Sequence, residues 1–100
     1  MIVTHKELKM KIEEANIDAV AKELHMKPKE LLMESLKTYL EKRLSKLEAD
    51  IFLLTKKYGV KNVFDLDSKV KAGFIRESDA FDDYFIFDNL DAEREKIKKY

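Results

Sequence analysis

The sequence predicts an all-α protein: an elongated helical chain with one long central helix over about 28–58 and shorter helices on either side. Three observations predict it. Among 100 residues there are only two Gly and one Pro, too few for a fold of many tight turns. Apolar residues make up 45% and charged residues 40%, enough for a core under a densely charged surface and against disorder. From Pro28 to Tyr58 the chain holds no Gly and no further Pro.

The elements follow in order. Thr4 and Glu7 fit a capping box, with Val3 and Leu8 at the two staple positions. Leu8, Ile12 and Ala15 then fall on one helical face. A second reading stays open, because Leu8, Met10 and Ile12 alternate with Lys9 and Lys11 as in a half-buried strand. Asn16 is an N-cap for a helix striped by Ile17, Val20, Ala21 and Leu24. Pro28 is preorganised for the first turn of the next helix. That helix carries Glu30 and Glu34 near its start and Lys56 and Lys57 near its end, as the dipole favours, and Gly59 stops it. It would be roughly 46 Å long, longer than a compact domain of this size at about 35 Å across. The expectation is an elongated molecule or a second chain covering some of the helix.

Leu40, Leu44, Leu47, Ile51, Leu54 and Tyr58 follow steps of four and three, a heptad seam. It reads either as the seam of a homodimer or as the core stripe of an internal hairpin. Around Ile51–Leu54 the apolar surface widens, so the C-terminal third is expected to pack there. Asn62 and Asp65 give a capping-box signal for a short helix lined by Val63, Leu66 and Val70 and ended at Gly73. Ser78 is expected to cap a further helix carrying Phe81, Tyr84 and Phe85. Tyr84–Phe87 reads as helix or extended chain, and Asp88 or Asn89 as the start of a last helix. One domain over 1–100 is expected, slightly basic over residues 1–61 and acidic over residues 62–100, with the acidic helical tail packing back.

Composition excludes several function classes. Basic and acidic residues number 20 each, so the chain is not globally polybasic. There is no Cys, hence no disulfide, thiolate zinc site or thiol catalysis. No apolar run approaches the ~18 residues of a membrane span, and residues 1–9 hold no apolar stretch of signal-peptide length, which points to the cytoplasm. Seventeen Lys and 11 Glu with no Gln is a hyperthermophile pattern, although exposed helices favour the same residues.

No catalytic constellation is legible, and neither an enzyme nor a cofactor is expected. His5 reads as a solvated first-turn residue and His25 as a helix-end residue. Asp79, Asp82 and Asp83 could in principle hold a hard cation, but acids gather in a first helical turn for electrostatic reasons, and no metal site is expected. No phosphate loop or dinucleotide fingerprint is present. Charge does separate along the chain: residues 77–95 hold eight acidic side chains and one Arg. Glu77, Asp79, Asp82, Asp83 and Asp88 lie among Phe81, Tyr84, Phe85 and Phe87. The candidate partner-binding set is Phe81, Asp82, Asp83, Tyr84, Phe85 and Asp88, with aromatics as anchors and carboxylates steering the encounter. The competing reading makes the aromatics core residues covering Phe52 and Leu53.

Residues 17–42, with Ala21, Leu24, Met26 and Leu31 at helix-turn-helix spacing and Leu32–Leu40 continuing, resemble the last two helices of ribbon-helix-helix proteins of the CopG/Arc type. That resemblance implies a dimeric DNA-binding regulator, whose ribbon would put Lys9 and Lys11 on the DNA; read as a helix-turn-helix, residues 17–40 would present Lys27, Lys29 and Lys37 instead. His25 stands where the turn would have Gly, and Glu30 and Glu34 oppose a phosphate-binding patch. Lys57–Val60 and the acidic, aromatic run Ala80–Leu90 also resemble small archaeal antitoxin-type proteins. This implies a partner protein such as a toxin, and a non-enzymatic, antitoxin-like interaction module. A structural oligomer is the third expectation.

Overall fold

A computed structural model describes residues 4–6, 8 and 16–100. The protein is all-α. Its helices are α1 (Ile17–Glu23), α2 (Pro28–Tyr58), α3 (Val63–Lys71) and α4 (Glu77–Lys98), with no strand among the described residues. Ahead of α1, His5, Lys6 and Leu8 are helical, and the Leu8 N–H donates to the Thr4 carbonyl at 3.0 Å. Leu8 is therefore on the helical side of the helix-or-strand alternative. Val3, Glu7, Met10, Ile12 and Ala15 lie outside the described residues. The chain divides into two compact units, Met1–Tyr39 and Leu40–Tyr100, and the division falls inside α2.

The first unit holds α1 and the opening turns of α2. Asn16 caps α1 as its side chain predicts, its Oδ1 accepting from the Ala19 N–H at 2.8 Å. The helix ends when His25 turns left-handed, at φ 56°. The Met26 N–H then donates to the Ala21 carbonyl (2.8 Å) and the His25 N–H to that of Lys22 (3.2 Å), the bond pattern of a Schellman turn. Of the α1 stripe only Ala21 is buried, while Ile17, Val20 and Leu24 stay exposed.

In the second unit α4 runs back antiparallel along the rest of α2, so that Lys57 and Tyr58 meet Asp83 and Arg43 meets Glu93, and the short α3 connects the two. Gly59 (φ 62°) stops α2, with the Val60 N–H donating to the Thr55 carbonyl at 3.0 Å. Gly73 (φ 84°) ends α3 in the same way, the Phe74 N–H reaching the Lys69 carbonyl at 2.9 Å. Asn62 caps α3 by accepting from the Asp65 N–H (2.8 Å). The reciprocal arm differs from a capping box, since the Asp65 carboxylate accepts from the Lys61 N–H (2.9 Å), one residue earlier.

Two expectations for the C-terminal third are corrected. Ser78 does not cap α4: the helix begins at Glu77, its N-cap is Arg76, and no side chain caps it. Nor is there a break at Tyr84–Phe87 or a restart at Asp88 or Asn89, because α4 is continuous through all of them. The reason lies in packing. Ala80, Tyr84, Phe87 and Leu90 recur at helical spacing and meet the core together, and this outweighs the strand preference of four successive β-branched or aromatic residues. The core buries Ile51, Val60, Val63, Leu66, Ala80 and Phe87, flanked by Leu54, Tyr58, Val70, Ile75, Tyr84 and Leu90. Full burial of side chains such as Leu66 and Phe87 stabilises by about 1.5–3 kcal/mol each.

Candidate interaction face

The heptad seam is the inner face of α2 in the second unit. Leu47 and Ile51 are buried, and Leu40, Leu44, Leu54 and Tyr58 are half-buried. Ile51, Leu54 and Tyr58 pack inside the chain's own core. At those three positions the internal-hairpin reading describes the seam, with no second chain needed to cover it.

Two polar ties hold α4 along α2. Near one end, Arg43 clasps Glu93 with both arms, Nε to Oε1 at 3.0 Å and Nη2 to Oε2 at 2.6 Å. The guanidinium holds the Glu93 carboxyl below its ordinary pKa. Near the other end, Asp83 Oδ2 accepts from Lys57 Nζ at 2.6 Å and from the Tyr58 hydroxyl. These two donors, Lys57 before Tyr58, draw the Asp83 pKa down. Partial burial, then the bond to Asp83, raises that of the Tyr58 phenol, and the same carboxylate raises that of Lys57. Asp83, expected among the steering carboxylates, is thus an internal latch.

The other aromatics of α4 divide by helical angle. Ala80, Tyr84 and Phe87 face the core. One position further round at each turn, Phe81 (55% exposed) and Phe85 (52%) face outward. Their rings stand edge to face, 5.1 Å between centroids at 78°, and Tyr84 meets Phe85 the same way at 5.7 Å. Beside them lies an open groove of about 210 Å³ between α3 and α4, walled by Asp67 and Val70 on one side and by Glu77, Ala80, Phe81, Tyr84 and Phe85 on the other. Asp67 is paired with Lys71 at 2.8 Å. Glu77, Asp79, Asp82 and Asp88 have no ion pair among the described residues. The result is a semi-apolar groove with one carboxylate in its wall, Glu77, that has no ion pair among the described residues.

Of the predicted partner-binding residues, the structure brings Phe81, Tyr84 and Phe85 to the groove, leaves Asp82 and Asp88 exposed nearby on α4, and removes Asp83 to the latch. On the α3 wall, the sequence marks Val70 only as an apolar lining residue of its helix and does not single out Asp67. The aromatics do not cover Phe52 and Leu53, which stay 54% and 64% exposed. In the first unit Lys27, Lys29 and Lys37 are exposed, and so are Glu30 and Glu34.

Chemically the groove can bind but offers no nucleophile and base pair. Among the described residues no three His, Asp or Glu side chains gather where they could hold a metal ion. No helix of the described residues is long and apolar enough to cross a membrane.

Neither a curated protein nor a solved structure matches the chain significantly. Residues 4–100 do match the profile of a family described as the Uncharacterized protein MJ0235 family, and the match spans both units and every helix described above. The chain belongs to the MJ0235 family.

Proposed function

We propose that the protein is a non-enzymatic, cytoplasmic interaction module that captures a partner protein in an antitoxin-like manner. The observation that carries this reading is the outward pair Phe81 and Phe85 at the edge of a groove that also presents the carboxylate of Glu77. Two large side chains exposed by more than half cost solvation, and an aromatic anchor beside a pocket is the usual centre of a binding hot spot. Glu77 in the groove and the exposed Asp82 and Asp88 on the same helix favour a segment that brings Lys or Arg around an apolar anchor, and their charge speeds the encounter.

The test is an NMR titration of the full chain with a synthetic amphipathic helix of Leu and Lys. Shift changes centred on Phe81, Phe85, Val70 and Asp67 are expected, weakening as salt rises and vanishing in Phe81→Ser with Phe85→Ser. Changes that ignore this double substitution, or no changes at all at low salt, overturn the reading. Co-purification with the product of an adjacent reading frame would then supply the natural partner, a toxin in the antitoxin-like case.

A further inference from the structure

The groove between α3 and α4 is small and chemically uneven. Its volume of about 210 Å³ is below the roughly 300–1,000 Å³ of sites that hold drug-sized ligands, so it suits a single side chain. Three aromatic rings line it. Phe85 stands edge to face with Phe81 at 78° and with Tyr84 at 86°, so the rings form a corner, and a cation within about 6 Å of a ring face is attracted to it. Asp67 stands on the α3 side and Glu77 on the α4 side, and no basic side chain lines the groove among the described residues. Asp67 gives its Oδ2 to Lys71 at 2.8 Å. Its Oδ1 and the Tyr84 hydroxyl have no hydrogen-bond partner among the described residues, and Glu77 has no ion pair there. With Lys71 offsetting Asp67, one net negative charge remains.

These groups match a primary ammonium. Such a group brings one charge and three N–H donors on an alkyl stem. Glu77, the free oxygen of Asp67 and the Tyr84 hydroxyl supply acceptors, and the ring corner takes the stem. A guanidinium has five donors in a rigid plane and would leave some unpaired, while a trimethylammonium has no N–H and would leave the acceptors unpaired. The surroundings say what carries the ammonium. Phe81 and Phe85 are half exposed, and Asp82 and Asp88 continue the acidic surface along α4 outside the groove. A free amine seated in the groove would use none of that outer surface, whereas a peptide chain would lie along it. We propose that the groove is a socket for one lysine side chain of a partner segment. This inference rests on the reading of the groove as a partner-binding face, and narrows the basic residue it takes to lysine.

The test titrates the full chain, by NMR, with three peptides of equal charge: the amphipathic helix of Leu and Lys, the same helix with Arg for every Lys, and the same helix with every Lys trimethylated. The lysine peptide should bind about tenfold more tightly than either of the others. Glu77→Gln should weaken the lysine peptide about tenfold. Asp82→Asn removes the same charge outside the groove and should weaken it by about twofold at most. Equal affinity for the three peptides, or equal losses in the two variants, overturns the socket and leaves the groove as a general site for basic segments. Shift changes that miss the groove with all three peptides overturn that broader reading as well. Pentylamine supplies the ammonium and stem without a peptide chain. If it moves the same resonances with the affinity of the lysine peptide, the partner segment is overturned as the source.

Discussion

His25 does the work of a glycine. It takes the left-handed region at φ 56° where Gly59 and Gly73 take it at the two other helix ends. A residue with a Cβ pays about 1–2 kcal/mol there, of which a glycine's greater unfolded freedom returns some. His25→Gly should therefore stabilise the first unit by about 0.5–1 kcal/mol, read as a higher urea midpoint at unchanged slope. Gly59→Ala should cost about 1 kcal/mol. A Cβ at Gly59 would meet nothing within 4 Å, so the cost comes from the backbone alone. Tyr58→Phe removes a hydrogen bond to a carboxylate and should cost about 1 kcal/mol. Its effect should shrink in an Asp83→Asn background if the latch acts as one unit.

At the scale of elements, α4 is held along α2 by an apolar stripe with a carboxylate tie near each end. Both Asp83 and Glu93 hold their protons more weakly folded than unfolded. The stability they add is complete above their ordinary values of 3.8 and 4.5 and is lost as pH falls through the lower folded values. Lys57 and Tyr58 run the other way: their contribution is complete below 10.5 and 10.0 and fades as pH rises past these values. Urea midpoints should be flat between about pH 6 and 9 and fall below about pH 4. Asp83→Asn with Glu93→Gln should lower the neutral midpoint and make the acid fall shallower.

These elements were legible wherever a local signal existed. Asn16, Pro28 and Asn62 mark the starts of α1, α2 and α3, and Gly59 and Gly73 mark the ends of α2 and α3. The start of α4 was not legible, because Arg76 supplies no capping side chain while Ser78, two residues on, has the residue type of a cap. The site was half legible. Composition singled out the acidic, aromatic run, but Phe81 and Phe87 look alike in a sequence. Only the position of α2 and α3 turns one to water and the other into the core. Asp82 and Asp83 are as similar, and only Tyr58 makes Asp83 a latch.

At the scale of the molecule, the chain is two units with unequal means of support. The second carries its own core, and a piece over 40–100 should fold alone, with cooperative thermal unfolding. Loss of cooperativity in that piece would show that its core depends on the first unit. Abundant Lys and Glu with no Gln leads us to expect a melting midpoint above the mesophilic range of about 45–65 °C for the whole chain. The return of α4 along α2 by way of the short α3 also has a kinetic consequence. Helices with short connections form the core, and the longest-range ties, Lys57–Asp83 and Arg43–Glu93, close along an antiparallel pair that can zip from the α3 end. Residues 40–100 contain no proline, which removes the slow isomerisation that delays many small proteins for tens of seconds. Stopped-flow refolding of this piece should be a single phase finished within milliseconds, placing it near the fast end of folding for its size.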